Sequence, residues 1–242
     1  MIRLVQTRGA WGLPNISPAC MKLETWLRLM GVPYEVAPLD MVNAPKGKIP
    51  YIIEQDGTRL GDSTLIVSHL KVTRGSDPDA RLTAEQRATA TAFRRMLKEH
   101  FYWVVIHERY KEERNWPHYR ELLIRELDFL PPEHRAPATD QYRKLFLDQL
   151  QAQGIGRHSP EDVYRLGRED LTSVSDFLGT RPFMLGDQPT TVDATVYAYV
   201  GSMLGMGLDS PVKDFGRSRE NLVSYCQRMH ERFFPELSAT WR

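Results

Sequence analysis

The stretch NISPACMKLETWLRLMGVPYE, residues 15–35, decides the fold because it marks both ends of one helix. Ser17 is a residue type favoured at the N-cap, and Pro18 suits the first helical position because its fixed φ matches the helix. Gly31 is a natural helix end. Apolar residues recur at helical spacing: Leu23, Trp26, Leu27 and Met30. The pattern predicts an amphipathic helix with one face packed inward.

Short strands surround this helix in the sequence. Four runs predict them: IRLVQT (2–7), PYEVAPLD (33–40), IPYIIE (49–54) and TRLG (58–61). The last two runs are joined by an Asp-Gly turn, which is typical of a hairpin. Asp62 or Ser63 then caps a second helix. This order is that of a thioredoxin-like α/β domain, with a small mixed sheet covered by helices.

Helical periodicity dominates the rest of the chain. Residues 74–82 predict a linker between an N-terminal domain (1–73) and an all-helical C-terminal domain (83–242). Three pairs have the spacing of helix caps: Thr83 with Gln86, Ser159 with Asp162, and Thr190 with Asp193. The proline-rich run 131–137 predicts a loop between two helices. The fold class is therefore an α/β thioredoxin-like domain followed by an all-α domain.

The composition argues against several classes of protein. The 242 residues carry 32 basic and 31 acidic side chains, and this balance gives no electrostatic reason to expect nucleic acid or an anionic membrane as partner. No apolar run approaches the roughly 20 residues of a membrane-spanning helix. Two cysteines cannot form a disulfide framework, which indicates a reducing compartment. We expect a cytoplasmic protein without a membrane partner.

Ser17 is the first candidate for chemistry. A helix N-terminus has unpaired N–H groups and a partial positive charge, and both stabilise a thiolate or another anion. A serine hydroxyl at this point can donate one more hydrogen bond to the sulfur of a bound thiol. The alternative is that Ser17 is only an N-cap. Cys20 stands where a redox motif would have its second cysteine, but Ser17 replaces the first, so we interpret Cys20 as a buried apolar residue.

Further residues suit a peptide-like ligand. A cis-proline at Pro50 would leave the Ile49 backbone able to pair with an extended ligand, whereas a trans-proline would simply begin a strand. Asp62 and Ser63 could accept an ammonium and donate to a carboxylate, or only cap a helix. Lys48 could meet a second carboxylate, or remain solvated.

Aromatic residues on the first loop and the long helix give a candidate apolar pocket. Trp11 and Tyr102 could line it, although an aromatic stripe on a helix also suits a core or a subunit interface. The run HERYK (107–111) lacks the second histidine of a zinc helix, and we expect no metal.

Together these motifs resemble the glutathione transferase family over nearly the whole chain. SPACMKLETWLRLMGVPYE resembles the first helix of the family, with Ser17 at the position of the catalytic serine or cysteine. KIPY resembles the loop with the cis-proline, and GDST the acidic-serine pair that holds the γ-glutamyl group. TTVDATVY resembles the capping motif of the helical domain. The resemblance implies glutathione as co-substrate and a homodimer.

Three runs resemble a particular branch of that family, related to failed axon connections and metaxin proteins: MKLETWLRLMGVPYE, KGKIPYI and GIGRHSPEDVYRLGREDL. Other transferases use a tyrosine in the first loop, where this chain has Thr7, Trp11 and Asn15. From the motifs taken together, we predict an enzyme that binds glutathione and transfers its thiol to a small apolar electrophile. The alternatives are a non-catalytic binding or scaffold protein with the same fold and, less directly, glutathione-dependent reduction at Cys20.

Overall fold

The strands form one four-stranded mixed sheet in the spatial order β2–β1–β3–β4. The computed structural model describes residues 1–237 and 241. The strands are β1 (Ile2–Val5), β2 (Tyr34–Ala37), β3 (Tyr51–Ile53) and β4 (Arg59–Gly61). β1 runs parallel to β2 and antiparallel to β3, which pairs with β4 as a hairpin. The predicted mixed sheet and hairpin are confirmed.

Helix α1 (Pro18–Leu29) begins at the predicted cap, where the Ser17 hydroxyl accepts a hydrogen bond from the Cys20 N–H. The prediction of a single buried face was too narrow. Lys22, Glu24 and Thr25 are buried as well, because α1 packs between the sheet and a helix of the second domain. Hydrogen bonds offset the cost of burying the Glu24 carboxylate. Its oxygens accept from the Gln6 amide nitrogen and from the Tyr34 hydroxyl, each at 2.7 Å.

Helix α2 (Ser63–Arg74) follows β4 and ends at Gly75, whose φ of 64° is in the left-handed region. Asp62 is its N-cap, because one carboxylate oxygen accepts from the Thr64 and Leu65 N–H groups. α1 and α2 cover one face of the sheet and bury a small apolar core with it. Its largest members are Ile2, Leu4, Leu23, Trp26, Leu27, Ile52, Ile66 and Leu70.

A continuous helix over residues 84–111 opens the second domain. It consists of α3 (Ala84–Arg95), a π-helical segment (Met96–Phe101), α4 (Tyr102–Ile106) and a second π-helical segment (His107–Lys111). The predicted capping box of Thr83 and Gln86 is present. The π segments were not predicted. Each contributes one cation to the same cleft, Lys98 from the first and Arg109 from the second.

Six further helices complete the described fold: α5 (Trp116–Glu126), α6 (Pro132–Gln153), α7 (Pro160–Leu178), α8 (Thr191–Leu204), α9 (Pro211–Arg217) and α10 (Glu220–Phe233). The predicted loop over 131–137 was wrong, because α6 already begins at Pro132. Proline fits the first helical position, and the Arg135 guanidinium donates to the carbonyls of Leu130 and Asp128. α9, capped by Ser210, was not predicted.

Helix α8 forms the centre of the second domain, and its residues from Val192 to Leu204 are buried. The predicted cap at Thr190 is confirmed, since the Asp193 carboxylate accepts the Thr190 N–H and hydroxyl, each at 2.8 Å. The same carboxylate accepts the Met184 N–H and the Tyr225 hydroxyl. Four donors thus hold a buried acid that joins the start of α8 to α10.

Glu108 of the second π segment is buried against Ser210. The Ser210 hydroxyl donates to Oε1 at 2.8 Å, whereas Oε2 has no protein partner within residues 1–237 and 241. Burial raises the pKa of Glu108 from its usual 4.5 to about 7, and the Ser210 hydrogen bond only partly opposes the rise. The folded chain therefore binds a proton at Glu108 more tightly than the unfolded chain does.

We expect Glu108→Gln to make the protein less sensitive to alkali. For an acid whose folded pKa is raised, the stabilising contribution is complete below pH 4.5 and is lost as pH rises through about 7. The amide mimics the protonated acid, so the free energies of unfolding should match near pH 4, where the acid is protonated in both states. At pH 8.5 the variant should be more stable by roughly 3 kcal/mol. Urea unfolding at both pH values measures this.

The exposed Glu121 of α5 offers a matched control. Glu121→Gln should leave the difference between the two pH values unchanged. Equal stabilities of wild type and Glu108→Gln at pH 8.5 would contradict the assignment of a raised pKa to Glu108.

Candidate active site

A cleft of about 370 Å³ lies between the sheet domain and the helical domain. The N-termini of α1 and α2 and the loop before β3 form one wall, and the helix over 84–111 with α5 and α6 forms the other. The structure brings seven of the predicted residues to this cleft: Ser17, Lys48, Ile49, Pro50, Asp62, Ser63 and Tyr102. Its volume is within the range of small-molecule sites.

Ser17 is half-buried at the mouth of α1. Its hydroxyl oxygen accepts from the Cys20 N–H at a long 3.4 Å, and its own N–H donates to the Asn15 side-chain carbonyl at 2.9 Å. Within the described part of the chain, the hydroxyl hydrogen has no protein acceptor. It is therefore available to a ligand atom in the cleft, where the partial positive charge of the helix terminus adds to its effect.

The loop before α1 is held by side-chain hydrogen bonds. The Thr7 hydroxyl donates to the Asn15 side-chain carbonyl, and the Asn15 amide donates to the Thr7 backbone carbonyl. Asn15 is buried, whereas Thr7 reaches the cleft. Of the polar loop residues, Thr7 is thus the one beside Ser17, and Asn15 has a positioning role.

Trp11 does not lie where the sequence predicted it. Its φ of 57° is in the left-handed region, and the indole ring packs against Gly207 and beside Tyr119, with ring centres 6.3 Å apart. It lines a separate surface groove with Arg8 and His118. The turn before α1 directs the indole away from the cleft, so Trp11 is removed from the candidate site.

The loop before β3 carries the next three candidates. Pro45–Gly47 forms one 3₁₀ turn, after which Lys48 is exposed at the rim and Ile49 is partly buried. The Ile49–Pro50 peptide bond is cis, the state that the sequence resemblance implied. Backbone pairing of Ile49 with a ligand stays a prediction.

Asp62 and Ser63 lie at the N-terminus of α2. Both carboxylate oxygens of Asp62 accept hydrogen bonds within the protein, which the sequence did not predict. Besides capping α2 through Oδ1, its Oδ2 accepts the Lys98 ammonium at 3.1 Å. Partial burial alone would raise the pKa of Asp62, but Lys98 and the N–H groups of α2 hold it below its usual value. Lys98 escaped the sequence prediction because it is 36 residues away and reaches the cleft through the first π segment.

A second lysine lies behind the N-terminus of α2. Lys22 is buried, and its ammonium donates to the Thr64 hydroxyl at 2.8 Å. Burial, with the nearby charges of Lys98 and Arg94, lowers the pKa of Lys22 to about 7. Lys22 lines a separate groove behind α2 instead of the cleft itself, and with a pKa of about 7 it carries only part of its charge at neutral pH.

The opposite wall is aromatic and carries hydroxyl groups. It contains Tyr102, Trp103, Tyr110, Tyr119, Tyr142, Phe146 and Tyr199. Burial raises the pKa of Tyr102, Tyr110, Tyr142 and Tyr199, so these phenols stay protonated at neutral pH and can donate hydrogen bonds. The guanidinium of Arg109 lies among them, another group that the sequence did not single out.

Both cysteines are packed inside the protein. Cys20 has no exposed surface, and burial raises the pKa of its thiol to about 11. Cys226 is also buried in α10. The interpretation of Cys20 as an apolar core residue agrees with this placement, and the requirement for redox chemistry at an exposed Cys20 is not met.

We expect neither cysteine to react in the native protein. A thiol reagent such as a dithiobis-nitrobenzoate should label no thiol at pH 8, because the thiolate is the reactive form and neither sulfur is exposed. In denaturant both should react at once, which is the internal control. Rapid labelling of native Cys20, identified by peptide mass, would revive the redox alternative.

Residues 1–237 and 241 contain no cluster of three or more His, Cys, Asp or Glu side chains that could hold a metal ion. None of their helices combines the length and apolar character needed to cross a bilayer.

The sequence matches two domain families. Residues 18–115 match the glutathione S-transferase N-terminal domain, and residues 167–229 match the glutathione S-transferase C-terminal domain. The first match covers α1, most of the sheet, α2 and the long helix, and so includes part of each wall of the cleft.

Curated relatives align over nearly the whole chain. Isoprene-epoxide–glutathione S-transferase of Rhodococcus sp. (strain AD45) is 36% identical, covering 93% of this chain and 95% of that protein. Failed axon connections of Drosophila melanogaster is 34% identical, and human metaxin-1 is 28% identical. The chain spans only 56% and 50% of these two longer relatives.

Solved structures show the same fold at low identity. A glutathione S-transferase of Methylobacterium radiotolerans in complex with glutathione sulfonate superposes with a TM-score of 0.60 at 18% identity, covering 96% of this chain and 91% of that one. A glutathione transferase of Phanerochaete chrysosporium gives a TM-score of 0.65 at 16% identity, covering 96% and 97%. With the two domain matches and the Rhodococcus relative, these findings show that the chain belongs to the glutathione S-transferase family, in a branch shared with failed axon connections and the metaxins.

Proposed function

We propose that this protein binds glutathione in the cleft and transfers its thiol to a small apolar electrophile. One observation carries the proposal: the free Ser17 hydroxyl at the start of α1 faces the same cleft as the Ile49–Pro50 loop and the Asp62–Ser63 pair. A tripeptide thiol with a charged amino-acid end needs these three groups together. The Rhodococcus relative, named for this activity with isoprene epoxide, supports it.

The charges of the cleft determine how glutathione would lie in it. The N-terminus of α2 and the hydroxyl of Ser63 would receive the γ-glutamyl carboxylate, favoured by the Lys98 ammonium beside it. The neighbouring ammonium would share Oδ2 of Asp62 with Lys98. Lys48 at the rim would receive the second carboxylate. This orientation directs the cysteinyl thiol toward Ser17.

The start of α1 can supply the free energy that activates the thiol. A free thiol of pKa about 8.5 needs roughly 2.7 kcal/mol to lower that value by two units. A hydrogen bond from Ser17 to the thiolate is worth about 1.5–3 kcal/mol, and the helix terminus adds about 0.3–1 kcal/mol. The two contributions together span about 1.8–4 kcal/mol, a range that includes the required 2.7 kcal/mol without a general base.

The aromatic wall would hold the electrophile. The Tyr102 ring packs edge-on against Trp103 and Tyr199. The surface of this pocket is therefore mostly apolar ring carbon, with polar atoms only at the hydroxyl groups. Such a pocket favours a small apolar molecule, which would enter beside the bound sulfur.

We expect glutathione to stabilise the protein and Ser17→Ala to reduce turnover more than binding. At one hundred times its dissociation constant glutathione should add about 2.7 kcal/mol, seen as a rise in melting temperature. In the variant the thiolate loses its hydrogen bond, so kcat for an epoxide should fall about 10- to 100-fold while KM for glutathione changes little.

Ser159 of α7 provides the matched control, because it is also an N-cap serine and lies far from the cleft. Ser159→Ala should cost about 1 kcal/mol of stability, as any lost cap does, without changing kcat. The absence of a melting shift at millimolar glutathione would refute the proposal.

The second candidate is a non-catalytic binding or scaffold protein. Identity to failed axon connections and to metaxin-1 over at least 93% of this chain favours it, and so does the Asp62–Lys98 pair that any glutathione ammonium must share. It predicts no turnover with epoxides and little effect of Ser17→Ala on binding of the partner. A cytoplasmic homodimer is part of both proposals, and light scattering on the purified protein measures the oligomer.

A further inference from the structure

Arg109 is the most unusual charge in the cleft. It belongs to the second π segment, its side chain is only 1% exposed, and it contributes to the cleft lining. Nη1 donates to the Ile16 carbonyl, and Nη2 donates to the Ser202 carbonyl at a long 3.4 Å. Nε has no protein partner within residues 1–237 and 241. Of five N–H donors, two are therefore accounted for.

No carboxylate within residues 1–237 and 241 forms an ion pair with Arg109. Other arginines near this wall are neutralised: Arg143 pairs with Glu113, and Arg120 with Asp140. The neighbours of Arg109 are neutral, namely two carbonyl groups and the Tyr119 ring, whose centre is 5.4 Å from the guanidinium carbon. A buried cation without a counter-ion is costly, so a protein rarely keeps one without use for its charge.

The position of this charge relates it to the reacting atoms. Ile16, whose carbonyl Arg109 holds, immediately precedes Ser17, so the guanidinium lies beside the start of α1. The same cleft contains the protonated hydroxyl of Tyr102. Burial raises the pKa of this phenol, and the nearby Arg109 charge opposes a small part of that rise. A fixed cation and a phenol donor thus face the region where the electrophile would meet the sulfur.

We propose that Arg109 and the Tyr102 hydroxyl form an oxyanion subsite, which directs this cleft toward electrophiles whose attack leaves negative charge on oxygen, epoxides above all. This inference rests on the proposed function and names its substrate class. A guanidinium suits the role because its unused N–H groups are fixed before the reaction begins.

The step balances without a further reagent. The glutathione thiolate attacks an epoxide carbon and forms the carbon–sulfur bond with its electron pair. The carbon–oxygen bond breaks, and its pair remains on oxygen as an alkoxide, which accepts hydrogen bonds from Arg109 and Tyr102. Water then protonates the alkoxide, replacing the proton lost earlier from the thiol. The product is a hydroxy thioether.

Comparing two electrophiles separates this role from others. An alkyl iodide of similar size reacts with the same thiolate but expels iodide, a weak hydrogen-bond acceptor that needs little stabilisation. We expect Arg109→Met to lower kcat for isoprene epoxide about 100-fold and that for the iodide less than threefold. KM for glutathione should stay within threefold, and the thiolate absorbance of the bound glutathione should titrate as in wild type.

Arg109→Lys keeps the charge but loses the planar donors, so the epoxide rate should recover in part, with the iodide rate unchanged. This variant carries the test if Arg109→Met fails to fold. An equal loss for both electrophiles, or a raised pKa of the bound thiol, would overturn the oxyanion subsite in favour of a role in the α1 loop or at the thiolate. Unchanged epoxide turnover would overturn it outright. If wild type binds no glutathione, the proposed function itself has failed, which the binding titration shows separately.

Discussion

The packing of α1 between the sheet and α8 is the constraint on which the rest of the structure depends. An amphipathic surface helix buries one face, but here Lys22, Glu24 and Thr25 are buried too. Each polar group inside needs a partner. The Thr25 hydroxyl donates to the Met21 carbonyl within α1, whereas the other two join α1 to neighbouring elements: Lys22 reaches α2, and Glu24 reaches β2. The two domains therefore share one packed helix instead of meeting at a loose interface, and the start of that helix is fixed in the cleft between them.

Local chemistry made much of this fold predictable from the sequence. N-cap residues, prolines at first helical positions and an Asp-Gly turn act within a few residues, so Ser17, Thr83 and Thr190 identified their helices correctly. The error at 131–137 has the same origin. Prolines were interpreted as a break, although Pro132 at the first position begins α6 and the Arg135 side chain satisfies the preceding carbonyls.

The candidate site was predictable where its residues lie at helix starts and in the loop before β3, whereas the cations that the helical domain supplies were missed. Lys98 and Arg109 contact groups 36 and 93 residues away. A π turn admits one extra residue, so side chains beyond it rotate away from the face that a period of 3.6 assigns to them. Trp11 was misplaced for a comparable reason, since its positive φ and the close approach to Gly207 depend on tertiary packing.

The two π segments give the long helix different roles along its length. The first places Lys98 against Asp62, so that the helical domain contributes to the end of the cleft where an amino-acid group would bind. The second places Arg109 against Ile16, beside the start of α1. Leu97, Phe101 and Val104 of the same helix are buried in the core. A single packed helix therefore supplies charge at both ends of the site, and the sheet domain alone would form only half of it.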